Sequence, residues 1–311
     1  MLRIALPNKG RLNQDCRELL NDAGLEVRAS SERALTASLG GEFEAIFVRA
    51  QDIPEFVADG AADAGITGWD LVAESERALE SRLDLEFGRC RLVVAAREEG
   101  GIRSLNDLQG SPRIATVFPN LTRSFFAAAG KTVQVVPVSG AVEVAPHLGI
   151  ADLIVDLTST GSTLKVNGLR EIATVLQSSA RLITAATPAA DEPRRRSLDE
   201  PRERSLDEPR ERSLDEPRER SLNELVQALE SVIAARGKRY VMANVPRDRL
   251  DEVKKVLPGI SGPTVIDLLN GGTMVAVHAV APAASIYKTL TALKQLGGEG
   301  ILVTRIERLM A

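Results

Sequence analysis

Short apolar runs alternate with stretches of helical periodicity along the first 188 residues. Arg3–Leu6 reads as a strand, followed by a Pro-Asn-Lys-Gly-Arg turn. Leu12, Cys16, Leu19, Leu20 and Ala23 then form one helical stripe, which Gly24 ends. Further strands are predicted at Ala45–Val48, Ala62–Ile66, Arg91–Ala95, Arg113–Val117, Val133–Val138 and Leu153–Leu157, with helices at Leu121–Ala129 and Val142–Leu148. Strands alternating with crossover helices predict an α/β architecture with largely parallel sheets, and the length favours two lobes with a cleft between them. Ligands in such folds sit at the carboxyl ends of strands, so the strand-to-helix turns are where chemistry is expected.

From Tyr240 to Ala311 the pattern is strand, helix, strand, strand, helix, strand. The expected pieces are Tyr240–Val245, Arg247–Leu257, Thr264–Leu268, Met274–Val280, Ala284–Leu296 and Ile301–Ile306, with Asn270-Gly271-Gly272 as a hairpin turn. This βαββαβ order predicts a ferredoxin-like domain. It holds no acid–base cluster, and His278, alternating with apolar neighbours, is expected to be solvent-facing or paired structurally.

Between the two parts, Asp191 to Leu222 is four tandem octapeptides, DEPRRRSL and then DEPRERSL three times. Each copy carries a proline, which opposes one continuous helix by about 3 kcal/mol per interior position. Leucine is its one apolar residue type, so the segment reads as a surface linker. In the last copy Pro217 can open a helix to Arg236, because Leu222, Leu225, Val226, Leu229, Val232 and Ile233 recur at helical spacing.

Composition narrows the function classes. The 311 residues carry a net charge of -4, with 39 basic and 43 acidic side chains, so no strong field favours nucleic acid or anionic lipid. Aromatic residues at 3% are too few for base-stacking platforms. No apolar run is long enough to span a bilayer, and the amino terminus lacks a signal-peptide pattern. Two cysteines, Cys16 and Cys90, cannot build a disulfide framework. The expectation is a cytoplasmic protein with reduced thiols.

The most informative turn follows the strand ending in Asp156 and runs Leu157-Thr158-Ser159-Thr160-Gly161-Ser162-Thr163-Leu164. Small residues let successive backbone N–H groups converge on an anion, and five hydroxyls add donors. No Gly-Lys-Ser/Thr follows, so it is not a Walker A loop. Asp156 is placed to accept from ribose hydroxyls, with Asp152 supporting it or a hydrated Mg²⁺. A Ser/Thr-rich turn that merely caps the next helix is the plainer alternative.

The stretch from Glu143 to Leu164 resembles the signature of the ATP phosphoribosyltransferase family, long form, at Glu143, Gly149, Ala151, Ile154, Asp156, Thr160, Gly161, Thr163 and Leu164. Gly10-Arg11-Leu12, Arg49 through Pro54, and Gly65 through Asp70 are similar to the same family, as are Ser261 to Val265 and Gly300 to Val303. The octapeptide repeat is the departure. The resemblance implies a two-lobed catalytic part like periplasmic binding proteins, followed by a regulatory domain. The implied boundaries are 1–88 plus 171–190 for the first lobe and 89–170 for the second. The linker would then take 191–222, a connecting helix 223–238 and the regulatory domain 239–311.

It also implies transfer of the 5-phosphoribosyl group from phosphoribosyl pyrophosphate to N1 of ATP, the first step of histidine biosynthesis, with Mg²⁺ as cofactor. Phosphoribosyl pyrophosphate is assigned to Glu143, Asp152, Asp156, Thr158, Ser159, Thr160, Gly161, Ser162 and Thr163, with Asp156 catalytic. ATP is assigned to Lys9, Arg11, Arg49 and Asp70, which lie just past strand ends in the first lobe. Metal ligands are not assigned. The implied partners are histidine, as feedback inhibitor with Thr264 as a contact, and further copies of the chain in a hexamer exchanging with a dimer. A solute-binding protein or a non-catalytic regulatory subunit are the competing classes.

Overall fold

The computed structural model describes residues 1–29, 34–186, 216–269 and 272–310. Within them the chain divides into two compact units, Met1–Val226 and Gln227–Ala311. The first begins β1 (Leu2–Pro7), α1 (Gly10–Asp22), β2 (Val27–Arg28), β3 (Thr36–Leu39), β4 (Phe43–Val48), α2 (Ile53–Ala58), β5 (Ala64–Gly68), α3 (Trp69–Ser75) and β6 (Leu79–Asp84). It continues with β7 (Cys90–Arg97), β8 (Arg113–Thr116), α4 (Pro119–Ala128), β9 (Gln134–Pro137), β10 (Leu153–Thr158), α5 (Ser162–Val166), β11 (Leu169–Ser178) and β12 (Ala180–Ala185).

These strands form two sheets, ordered β2-β3-β4-β1-β5-β12-β6 and β11-β7-β10-β8-β9. Each belongs to one lobe, and the chain passes between them twice, at Leu85–Arg89 and at Ser179. The two-lobed α/β arrangement agrees with expectation, but the sheets are mixed rather than largely parallel. β1 runs parallel to β4 and β5, and β8 parallel to β9 and β10. β7, β11 and β12 pair antiparallel with their neighbours, because they carry the chain across between lobes without a crossover helix.

The return to the first sheet comes later than residue 171. β11 still pairs with β7 in the second sheet to Ser178, and β12 starts the return. The helix expected at Val142–Leu148 is a single 3₁₀ turn, Val142–Val144. Pro146 denies it a backbone donor, and Ala141 ahead of it sits at φ 50°.

β7 and β10 are apolar on both faces, as sheets covered on both sides require. Leu92, Val94, Leu153 and Val155 pack on one side with Phe118 and Phe126. Val93, Ala95 and Ile154 pack on the other with Val142 and Leu164. In the first lobe Ala5 and Ile183 meet Ile53, Val57 and Val72 from α2 and α3.

α6 (Glu216–Ala235) begins inside the last octapeptide. Arg218 pairs with Asp63 at 3.5 Å, Glu219 with Arg82 at 2.6 Å, and Leu222 is buried. The first three copies lie outside the described residues.

The second unit follows with β13 (Lys238–Pro246), α7 (Leu250–Val256), β14 (Thr264–Asp267), β15 (Met274–Pro282), α8 (Ile286–Gln295) and β16 (Glu299–Arg305). Its antiparallel sheet, ordered β14-β15-β13-β16, has the ferredoxin-like connectivity that the pattern predicts. Val241, Ala243, Val245, Val275 and Val277 line the face that packs on Val253 of α7 and Leu293 of α8. β14 and β15 pair as a hairpin, of which Asn270 and Gly271 lie outside the described residues.

Candidate active site

The parallel register of β1, β4 and β5 brings three turns to one sheet edge. Pro7 stands opposite Val48, and the Asn8 N–H donates to the Val48 carbonyl at 2.8 Å. Lys9, Arg11 and Arg49 are therefore neighbours at that edge, all exposed. The Thr67 hydroxyl donates to the Ala50 carbonyl at 2.8 Å, which ties the end of β5 to the Arg49 turn.

Asp70 follows at the start of α3, 5% exposed. The Ser178 hydroxyl donates to its Oδ1 at 2.6 Å, and the Asp70 N–H donates to the same hydroxyl oxygen at 2.9 Å. Burial pushes the Asp70 carboxyl above its ordinary range, with the Ser178 bond opposing. Gly68 allows this placement, since a Cβ there would sit 2.5 Å from Asp70 Oδ1.

β10 delivers the hydroxyl loop from the other lobe. Gly161, at φ +77°, turns the chain into α5 and donates its N–H to the buried Thr158 hydroxyl at 2.9 Å. Thr160 and Ser162 share a hydroxyl hydrogen bond of 2.9 Å, and Ser159, Thr160, Ser162 and Thr163 are exposed. Thr160 and Ser162 thus satisfy each other, and Thr158 holds the turn through a backbone N–H. Asp156 is half-buried and accepts the Leu157 N–H at 2.8 Å. Burial is the main cause raising its pKa; the Leu157 bond lowers it and the Glu143 charge raises it further. Glu143 therefore lies near the Asp156 carboxyl.

Asp152 does not. It lies at the opposite end of the strand, where its Oδ2 accepts the Arg113 N–H at 2.8 Å. Four residues of strand place it roughly 13 Å from Asp156. His147 is exposed, with Nε2 2.7 Å from the Asn167 carbonyl oxygen.

A cavity of about 310 Å³ lies between the two edges, lined among others by Arg11, Asp70, Arg89, Cys90, Thr158 and Ser159. That volume lies within the ordinary range for small-molecule sites. Lys9, Arg49, Glu143, Asp156 and Thr160 to Thr163 stay outside this lining. Arg89 and Cys90, at the first crossing between lobes, are pocket residues that the sequence reading missed. No local motif marks them, and the crossing between lobes is what brings Cys90 near Asp70. Burial, with the Asp70 charge next, pushes the Cys90 thiol up to about 11. Among the described residues no group of three His, Cys, Asp or Glu side chains could hold a metal ion.

Family comparisons decide which family the chain belongs to. The model described as ATP phosphoribosyltransferase matches residues 49–201, and that described as HisG, C-terminal domain, matches 235–308. An ATP phosphoribosyltransferase of Gemmatimonas aurantiaca is 66% identical, covering 100% of both chains. The chain belongs to the ATP phosphoribosyltransferase family. A family member from Halobacterium salinarum is 46% identical over 99% of this chain and 100% of its own. Among solved structures, the ATP phosphoribosyl transferase (HisG:HisZ) complex from Thermotoga maritima aligns with a TM-score of 0.53. It is 32% identical over 60% of this chain and 87% of that one.

Proposed function

We propose that the cleft transfers the 5-phosphoribosyl group of phosphoribosyl pyrophosphate to N1 of ATP, releasing pyrophosphate. One observation carries the reading: Thr158 and Ser159 of the hydroxyl loop line one cavity with Arg11 and Asp70, and Asp156 lies two residues before Thr158 on the same strand. The loop's N–H groups and the hydroxyls of Thr160, Ser162 and Thr163 would hold the ribose 5-phosphate, and Asp156 the ribose hydroxyls. Asp70 would take a polar edge of the nucleotide, and Arg11, with Lys9 and Arg49 nearby, its phosphates.

Adenine N1 has a free lone pair, so it can attack the anomeric carbon without a strong base. The C1–N1 bond forms as the C1–oxygen bond breaks, and pyrophosphate leaves with the electron pair. Aligning the two reactants can supply roughly 7–11 kcal/mol of the barrier. The Asp156 carboxylate opposes the positive charge that develops on the ribose.

A divalent cation, Mg²⁺, fits as one brought in on the pyrophosphate rather than held by a protein cage. Asp156 and Glu143 offer two carboxylates, consistent with the one or two that such ions usually take. When bound, it would neutralise leaving-group charge. We further assign the chain to the cytoplasm, to a symmetric oligomer, and to inhibition by histidine through the second unit. The test is to incubate purified protein with ATP, phosphoribosyl pyrophosphate and Mg²⁺. Phosphoribosyl-ATP should form, and its absence would remove the reading.

A further inference from the structure

α3 belongs to the first lobe by sequence and by packing, yet Asp70, Leu71 and Glu74 engage the second. Trp69 and Val72 pack into the first lobe's core. The Arg181 guanidinium lies over the Trp69 ring, 4.7 Å from its centroid. Leu71 instead packs against the second lobe's core with Leu92 and Phe126. Asp70 is bound to Ser178, the last residue of β11 before the chain crosses back.

Glu74 completes the bridge. Its carboxylate accepts the Asn120 N–H on one oxygen and the Leu121 N–H on the other, both at 2.9 Å. Asn120 Nδ2 donates to the Glu74 carbonyl at 2.9 Å. These are the second and third residues of α4, whose own cap, Phe118, has no side-chain acceptor and whose first turn has no acidic residue. A helix normally satisfies those donors from its own cap. Here the acceptor comes from the other lobe.

We propose that Glu74 is a positioning residue that latches the two lobes at a fixed opening, so that Asp70 faces the 158–163 loop before substrate arrives. The proposal rests on the cleft being the substrate site. Without the latch the lobes spend part of their time in arrangements that cannot bind. Apparent affinity then falls by the competent fraction, whereas the saturated, closed complex reacts as before.

The test uses full-length Glu74→Ala, Glu74→Gln and Asn120→Ala. In Glu74→Ala the KM values for ATP and for phosphoribosyl pyrophosphate should both rise by about tenfold, with kcat within about twofold of wild type. Glu74→Gln, keeping one acceptor oxygen, should fall between, and Asn120→Ala, keeping both backbone bonds, should shift KM least. Hydrogen exchange on the substrate-free protein supplies the second readout. Exchange should quicken at Asn120 and Leu121 and also across the 176–182 crossing. Quickening confined to Asn120 and Leu121 with unchanged KM would make Glu74 a helix cap only and overturn the latch. Reduced kcat with unchanged KM would overturn it equally. Were wild type to form no phosphoribosyl-ATP, the functional reading would fall, and exchange at 176–182 would still decide the latch.

Discussion

At the residue scale, the Asp70 and Asp156 carboxylates share one direction of shift from different surroundings. Burial leads in both, but Asp156 also feels Glu143, whereas Asp70 is held by Ser178. Ionised Asp156 is the form that opposes ribose charge, so the acid limb of kcat/KM should lie above the ordinary carboxylate range. Glu143→Gln removes a repelling charge, lowers the Asp156 pKa and should move that limb to lower pH. A limb that stays in place in a pH–rate profile would separate the two residues. Asp156→Asn should cost about 10²–10³ in kcat while leaving the thermal midpoint near wild type. Asp70 gives a stability prediction. Its folded pKa is raised, so the stability it contributes is full below the unfolded value and is lost as pH rises through the folded one. Asp70→Asn keeps an oxygen for Ser178 and removes the buried charge. Its midpoint should therefore gain on wild type between acid and neutral pH, while KM for ATP rises. Thermal melts across pH check the first part and kinetics the second. An Asn variant that loses ground on wild type as pH rises would contradict the buried-charge account.

Elements differ in how far the sequence announces them. β1, β4, β5, β7 and β10 are legible because each centres on a short apolar run, and α1 because Cys16, Leu19 and Leu20 fall on one stripe. β11 is not. It shifts register twice against β7, between Glu171 and Ala173 and between Thr174 and Leu176, which blurs the two-residue alternation. The loop 158–163 is legible because its chemistry is local, and Cys90 is not, because only the crossing between lobes brings it to Asp70. Asp152 shows the reverse error: closeness along a strand is not closeness in space. The last octapeptide, which reads as a helix start, is one: Arg218 pairs with Asp63, Glu219 with Arg82, and Leu222 is buried. The preceding three copies carry little apolar surface to bury. Deleting Asp191 to Leu214 should leave activity and the thermal midpoint nearly unchanged, because loop closure changes by only about 0.6 kcal/mol per doubling of length. A further deletion through Leu222 removes the Arg82 and Asp63 partners and should lower the midpoint. Equal melts for the two deletions would show that the docked copy contributes nothing.

For the whole molecule, the question is what the second unit adds to a first unit that already holds the cleft residues. Its helix-covered face is a closed apolar core, while the other face presents Tyr240, whose hydroxyl lies 3.0 Å from His278 Nδ1. Thr264, at the start of β14, stands opposite His278 in the register and is exposed. The product of the pathway that this family opens is histidine, and we propose that this edge hairpin binds it. If histidine binds there, reciprocity requires that it change substrate affinity by the factor by which substrate changes its own. A coupling of ~1–3 kcal/mol corresponds to about 5–150-fold. Titrating L-histidine against the full chain should inhibit it, and a truncation ending near Gly237 should escape if it stays folded. Thr264→Val should weaken inhibition without altering the uninhibited rate, because it lies in the unit that carries no cleft residue. Analytical ultracentrifugation with and without histidine would show whether the coupling runs through assembly. Insensitivity of the full-length enzyme at millimolar histidine would leave the second unit as an assembly element alone.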